Sequence, residues 1–140
     1  MTLMVYLDSN VFVYAVTHDP ARYTKSKNAI NILRSVEEGE TKAVTSFLTW
    51  DELVWVVWKL FGGREEGLRA GAALLKLEGL SLSPVNPSVM LRARELIERY
   101  PLKPRDSIHV ATALITGQKE VISDDAELDA VREIKRRPLD

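Results

Sequence analysis

Cysteine is absent from this chain. That excludes disulfides, thiolate nucleophiles and thiolate metal sites, and nothing points to an oxidising compartment. Histidine occurs only twice, at His18 and His109, too few for the imidazole-rich sets that select zinc. Gln118 is the only glutamine, which leans weakly towards a thermophilic source. No apolar run reaches the length of a membrane span, and the chain shows no signal-peptide pattern. The expectation is a cytoplasmic protein without a membrane partner. Neither sign of charge dominates: 19 basic and 20 acidic residues leave a net charge of -1. Bulk electrostatics therefore announces no nucleic-acid binding, although a local basic rim or metal ions could still serve it.

What is present is an ordinary globular balance, 46% hydrophobic and 28% charged over 140 residues. That length suits one domain, residues 1–140, with its own core. Residues 3–7 are apolar and bounded by Asp8-Ser9-Asn10, the pattern of a buried parallel strand. Residues 11–16 read as a short helix, and residues 24–38 as a longer one with Ala29, Ile32, Leu33 and Val36 on one face. Residues 43–46 read as a strand. A helix over 49–61 follows, with Thr49 as its N-cap and Leu53, Val56, Val57 and Leu60 as its stripe. Val54, Trp55, Trp58 and Phe61 make that helix apolar nearly all round.

Next come a helix over 64–78 and a strand near 80–82. Asn86-Pro87 caps a helix whose face carries Val89, Ala93, Leu96, Ile97 and Tyr100. Asp106 starts another, with Ile108, Ala111, Thr112 and Ile115 on one face, and residues 120–123 form a late strand. Lys135-Arg136-Arg137 reads as a charged tail. Helices alternating with short apolar strands indicate an α/β domain with a mostly parallel sheet.

In such sheets the working site lies beyond the carboxyl ends of the strands. Asp8 follows the first strand, and Asp124 and Asp125 follow the late one. Asp106 stands at a helix N-terminus, where the dipole favours a carboxylate. Glu52 lies early in the helix after the 43–46 strand, among apolar neighbours. Four acids at one edge repel. A like-charged pair about 4 Å apart costs about 4 kcal/mol at an effective dielectric near ~20. A proton or a cation relieves this. Oxygen ligands without cysteine select Mg²⁺ or Mn²⁺. Such an ion suits phosphodiester hydrolysis, because it activates water and offsets charge on the phosphate.

These residues resemble the PIN domain family, and within it the VapC-type toxin ribonucleases. The matching pieces are Leu7-Asp8-Ser9-Asn10-Val11, Thr45-Ser46 followed by Glu52, Arg105-Asp106-Ser107-Ile108-His109-Val110-Ala111-Thr112-Ala113-Leu114, and Val121-Ile122-Ser123-Asp124-Asp125-Ala126-Glu127-Leu128. Each piece is weak alone; the ordered set spans nearly the whole chain. The resemblance implies a three-layer α/β/α sandwich and Mg²⁺- or Mn²⁺-dependent cleavage of RNA. Asp8, Glu52 and Asp106 match the family's metal-binding acids. The fourth acid is the third position of a Thr-x-Asp-x-x-Phe stretch. Here that is Asp125, with Ser123 in place of the threonine and Leu128 in place of the phenylalanine. The doubled aspartate leaves Asp124 open as the alternative. Ser9, Asn10, Ser46 and Ser123 match supporting polar positions. The resemblance also implies an antitoxin partner covering the acidic site, and a homodimer.

Asp8, Asp106 and the Asp124-Asp125 pair each have an ordinary explanation as a turn residue, a first-turn acid or a helix cap, but Glu52 is harder to dismiss, because an unpaired carboxylate among apolar neighbours is costly. His109 reads more simply as a packed helix histidine than as a catalytic one, and His18 as loop surface. Trp55, Trp58 and Phe61 suit a subunit interface better than a base-stacking platform. Arg22, Lys25, Lys27, Lys103 and Arg105 are equally open to an RNA path or a solvated face. The reading is a metal-dependent endoribonuclease, the toxin of a toxin–antitoxin pair. Its rivals are a PIN-type processing nuclease, a non-catalytic binding module, and a phosphotransferase with Asp8 as nucleophile. The last lacks an acid at Asn10 and a partnering late-strand lysine.

Overall fold

Alternation along the strands sets the layers of this protein. The computed structural model describes residues 3–140. Strand β1 is Leu3–Leu7, and it is followed by helices α1 (Ser9–Thr17) and α2 (Thr24–Glu37). Strand β2 (Thr41–Ser46), helices α3 (Leu48–Leu60) and α4 (Arg64–Lys76), and strand β3 (Leu80–Ser83) come next. Helices α5 (Pro87–Arg99) and α6 (Pro104–Ile115) precede β4 (Glu120–Ile122), a 3-10 turn (Ala126–Ala130) and β5 (Lys135–Arg137). The sheet order is β3-β2-β1-β4-β5, and every pairing is parallel.

Successive strand residues face opposite sides. Val5, Leu7, Ala43 and Ile122 pack into one core with Val11, Phe12, Ala29, Val36, Leu53 and Val57 from α1, α2 and α3. Tyr6, Val44 and Val121 face the other core, with Val89, Ala93, Leu96, Val110 and Ala111 from α5 and α6. Strands buried on both faces explain why their sequences read as continuous apolar runs. The result is the three-layer α/β/α sandwich.

Several sequence expectations are corrected. Thr49 is not the N-cap of α3. That helix begins at Leu48, whose N–H donates to Ser46 Oγ at 3.0 Å. Thr49 is buried instead, with its Oγ1 2.7 Å from Thr45 Oγ1. Leu60, Ile97 and Ile115 fall on exposed faces, while Val54 and His109, outside the expected stripes, are buried. Helix α6 starts two residues before Asp106, at Pro104. The charged tail is a strand: β5 pairs with β4, and Ser123 N–H donates to Arg137 O at 3.0 Å. Its three consecutive charged side chains hide a backbone that completes the sheet edge. No helix among the described residues is long and apolar enough to cross a membrane.

Because all strands are parallel, their carboxyl ends share one edge. Asp8 follows β1, Ser46 ends β2, and Ser123 follows β4. The chain runs outward from β1 to β2 and β3, then returns to β4 and β5 on the opposite side. The seam between β1 and β4 is the switch point where such sheets open a crevice.

Candidate active site

Asp8 sits on that seam. Its N–H continues the ladder to Ile122 O at 3.0 Å, so the strand pairing itself fixes the carboxylate. It is only 3% exposed. Oδ1 accepts from Ser9 N–H at 2.8 Å and caps α1. Oδ2 accepts from Ser123 Oγ–H at 2.6 Å and from Asn10 Nδ2–H at 3.3 Å. Ser123 Oγ in turn accepts from Asp125 N–H at 3.0 Å, and Asn10 Oδ1 from Asp124 N–H at 3.2 Å. Ser9, Asn10 and Ser123 thus bind the first acid to the loop carrying the last. Ser46 serves the start of α3 instead, while its N–H donates to Tyr6 Oη at 3.1 Å.

Asp106 projects from the first turn of α6. Asp125 caps the 3-10 turn, its Oδ1 accepting from Glu127 N–H at 2.9 Å. Asp106, Asp125 and Glu127 place one carboxylate oxygen each within 4.8 Å of one another. Burial, then the nearby charges of Asp125 and Asp8, push Asp106 from 3.8 up to about 7. A carboxyl raised this far holds its proton near neutrality unless a cation replaces it.

The two neighbouring aspartates separate clearly. Both oxygens of Asp124 are engaged elsewhere: Oδ1 lies 2.8 Å from Lys25 Nζ, and Oδ2 accepts from Tyr14 Oη–H at 3.0 Å. Asp125 is the one that meets Asp106. Lys25 therefore serves Asp124, whereas Arg22, Lys27, Lys103 and Arg105 are exposed.

Glu52 is half-buried on α3, one residue past its first turn. It does not join the close trio. Its Oε1 lies 2.6 Å from His109 Nε2, which is also 3.6 Å from Asp8 Oδ1. Burial works against charge on the His109 ring, but Asp8, Glu52 and Asp106 outweigh it and raise its pKa. His109 is thus both a packed histidine and a neighbour of two site acids. His18 is exposed at the end of α1, as expected of surface.

Sequence reasoning passed over Glu127 and Tyr6. The Asp125-x-Glu127 spacing across a tight turn is a signal for the first. Nothing in an apolar strand marks Tyr6, whose hydroxyl lies 2.6 Å from His109 Nδ1.

An all-oxygen set of clustered carboxylates, one of them pushed towards the neutral form, fits a hard divalent cation such as Mg²⁺ or Mn²⁺. Asp106, Asp125 and Glu127 are the residues already gathered for it, with Asp8 beside them.

The same architecture occurs in solved proteins. The chain aligns with VapBC2 from Rickettsia felis, bound to a DNA fragment from its promoter, at a TM-score of 0.73 and 13% identity over 97% of this chain and 98% of that one. It aligns with a toxin–antitoxin complex from Klebsiella pneumoniae at 0.68 and 18% identity, covering 94% and 95%. VapC20 from Mycobacterium tuberculosis, a sarcin–ricin loop cleaving toxin, aligns at 0.69 and 15% identity, covering 90% and 93%. At such identities these likenesses speak for the fold. No curated protein sequence matches the chain. The family model of the PIN domain matches residues 5–134. That span includes β1 with Asp8, the Glu52 helix, the Asp106 helix and the Asp125 turn, and the chain belongs to the PIN domain family.

Proposed function

We propose that this protein is a Mg²⁺- or Mn²⁺-dependent endoribonuclease and the toxin of a toxin–antitoxin pair. The observation that carries the reading is the meeting of Asp106, Asp125 and Glu127 beside Asp8 at the sheet's switch point. Membership of the PIN family and likeness to toxin–antitoxin structures support it.

Asp8, Asp106, Asp125 and Glu52 are the acids proposed to hold the metal, with Glu127 added by the geometry. When bound, the divalent ion supplies Lewis-acid polarisation of the scissile phosphate and lowers the pKa of water. The chain's own residues do the rest. Ser123 and Asn10 hold Asp8 in one rotamer, so that no reorganisation is needed when substrate arrives. The exposed Arg22, Lys27, Lys103 and Arg105 offer phosphate contacts on a chain of net charge -1. An antitoxin would inhibit by covering the acidic cluster with a basic side chain. Trp55, Trp58 and Phe61, all exposed on or just beyond α3, are the proposed face for self-association.

The reading is tested by incubating the chain with a mixed pool of structured and single-stranded RNA. Cleavage with Mg²⁺ or Mn²⁺ that stops in EDTA is the expected result, and the fragment ends would define the target. A pool left intact under every metal condition overturns the reading.

A further inference from the structure

His109 joins four elements. It stands on α6, one turn beyond Asp106, and is 2% exposed. Its Nε2 lies 2.6 Å from Glu52 Oε1 on α3, and its Nδ1 lies 2.6 Å from Tyr6 Oη on β1. Tyr6 is fully buried, and its Oη accepts from Ser46 N–H at the end of β2 at 3.1 Å.

The direction of these bonds follows from the donors available. A neutral imidazole accepts a hydrogen bond from Tyr6 Oη–H at Nδ1, which puts the ring proton on Nε2, facing Glu52. A charged imidazole carries a proton on Nε2 as well. In either state Glu52 receives a hydrogen bond from His109, so the arrangement does not depend on the ring's charge.

Glu52 has reason to need this. A glutamate on a helix surface has three rotatable bonds and loses appreciable entropy when held. Two other site acids have their carboxylates held by hydroxyl or backbone donors: Asp8 by Ser9 N–H and Ser123 Oγ–H, and Asp125 by Glu127 N–H. Glu52 is held instead by the His109 ring, at 2.6 Å from Nε2 to Oε1.

We propose that Tyr6 and His109 are positioning residues, a chain running from Ser46 N–H through Tyr6 and His109 that fixes one oxygen of Glu52, so that the other would be available to hold a divalent ion. This rests on the reading that the acids bind such an ion. It goes beyond that reading by assigning Glu52 an orienting apparatus built from buried residues of the opposite core. Neither Tyr6 nor His109 is a metal ligand in this assignment.

The test is a Mn²⁺ titration of the full chain, followed by the free-ion electron paramagnetic resonance signal. The variants are Tyr6→Phe, His109→Gln, His109→Leu, Glu52→Ala and the double Tyr6→Phe/Glu52→Ala, each checked for folding by thermal melting. Tyr6→Phe removes one oxygen and keeps the ring, so it should fold. Its Mn²⁺ affinity should fall about 10-fold, the low end for losing a partner behind a ligand. His109→Leu should fall as far as Glu52→Ala. His109→Gln, which keeps an N–H near the Nε2 position, should recover most of the loss. In the Glu52→Ala background Tyr6→Phe should cost nothing further, because residues acting through one another are not additive.

Wild-type affinity in Tyr6→Phe and His109→Leu overturns the proposal, and so does full additivity in the double variant. A chain that shows the coupling yet cuts no RNA keeps the positioning role and overturns the nuclease reading. A chain that cuts RNA with metal but lacks the coupling does the reverse.

Discussion

Half-buried and flanked by the carboxylates of Asp125 and Asp8, Asp106 is pushed from 3.8 to about 7. Stability in the presence of EDTA should therefore depend on pH. An unfolded aspartate titrates near 3.8 and the folded one near 7, so between these values the folded chain binds the extra proton. Raising the pH through that window removes the proton, and stability falls. The melting temperature in EDTA should drop as pH rises from about 4 to about 7, and Asp106→Asn should flatten the drop. Added Mn²⁺ should abolish it in the wild type by replacing the proton. A melting temperature that rises steadily across this window in EDTA, with or without Asp106, would contradict the assigned burial and crowding. The residues differ in how far sequence exposes them. Asp8, Asp106 and Asp125 are legible because each abuts an apolar element whose end can be read. The resemblance favours Asp125 over Asp124 but leaves Asp124 open; what separates them physically is that Lys25 and Tyr14 take both oxygens of Asp124. Tyr6 and His109 are opaque for a related reason. Tyr6 fits the apolar pattern of its strand, and its polar atom meets that of His109 across 103 positions.

At the scale of elements, α3 and α4 form a pair whose closeness depends on two glycines. A Cβ at Gly71 would lie 2.5 Å from Trp50 Nε1 and 2.7 Å from Val54 Cγ2, and one at Gly67 would lie 2.8 Å from Val54 O. Alanine is the better helix former by about 1 kcal/mol. Overpacking against a ring or a backbone carbonyl costs about 1–3 kcal/mol, so the clash should win. Gly67→Ala, which meets backbone, should lower the melting temperature by several degrees. A stabilised Gly67→Ala would show that the two helices part easily. This matters for the site because α3 carries Glu52. Elements with clean apolar periodicity, such as β1 and α2, follow from sequence almost to the residue. Strand β5 does not, because a charged edge strand presents no hydrophobic alternation. Its backbone bonds to β4, together with Asn28 Nδ2–H donating to Leu139 O at 2.6 Å, hold it in place.

Across the whole molecule, the parallel order β3-β2-β1-β4-β5 brings residues from both ends of the chain to one crevice. Alternation of helices and strands predicts such a sheet, but which strands are neighbours is decided by the crossovers. The molecule also exposes aromatic side chains on α3 and at its end. Trp55, Trp58 and Phe61 are 51%, 39% and 48% exposed, and the two indoles pack 6.1 Å apart. If this is the self-association face, Trp58→Glu should convert a dimer into a monomer in sedimentation experiments. Removing a central tryptophan anchor typically costs about 2 kcal/mol or more, about 30-fold in dimer affinity. An unchanged dimer in Trp58→Glu would move the interface elsewhere. The central claim, however, is that clustered acids at the switch point cut RNA with a divalent ion. It is tested most directly by single-turnover RNA cleavage in saturating Mg²⁺, comparing wild type with Asp8→Asn and Asp106→Asn. The wild type should show a rate that EDTA removes and that falls at least about 100-fold in each variant, the scale of losing transition-state charge stabilisation. Cleavage that survives both substitutions at the wild-type rate would contradict it.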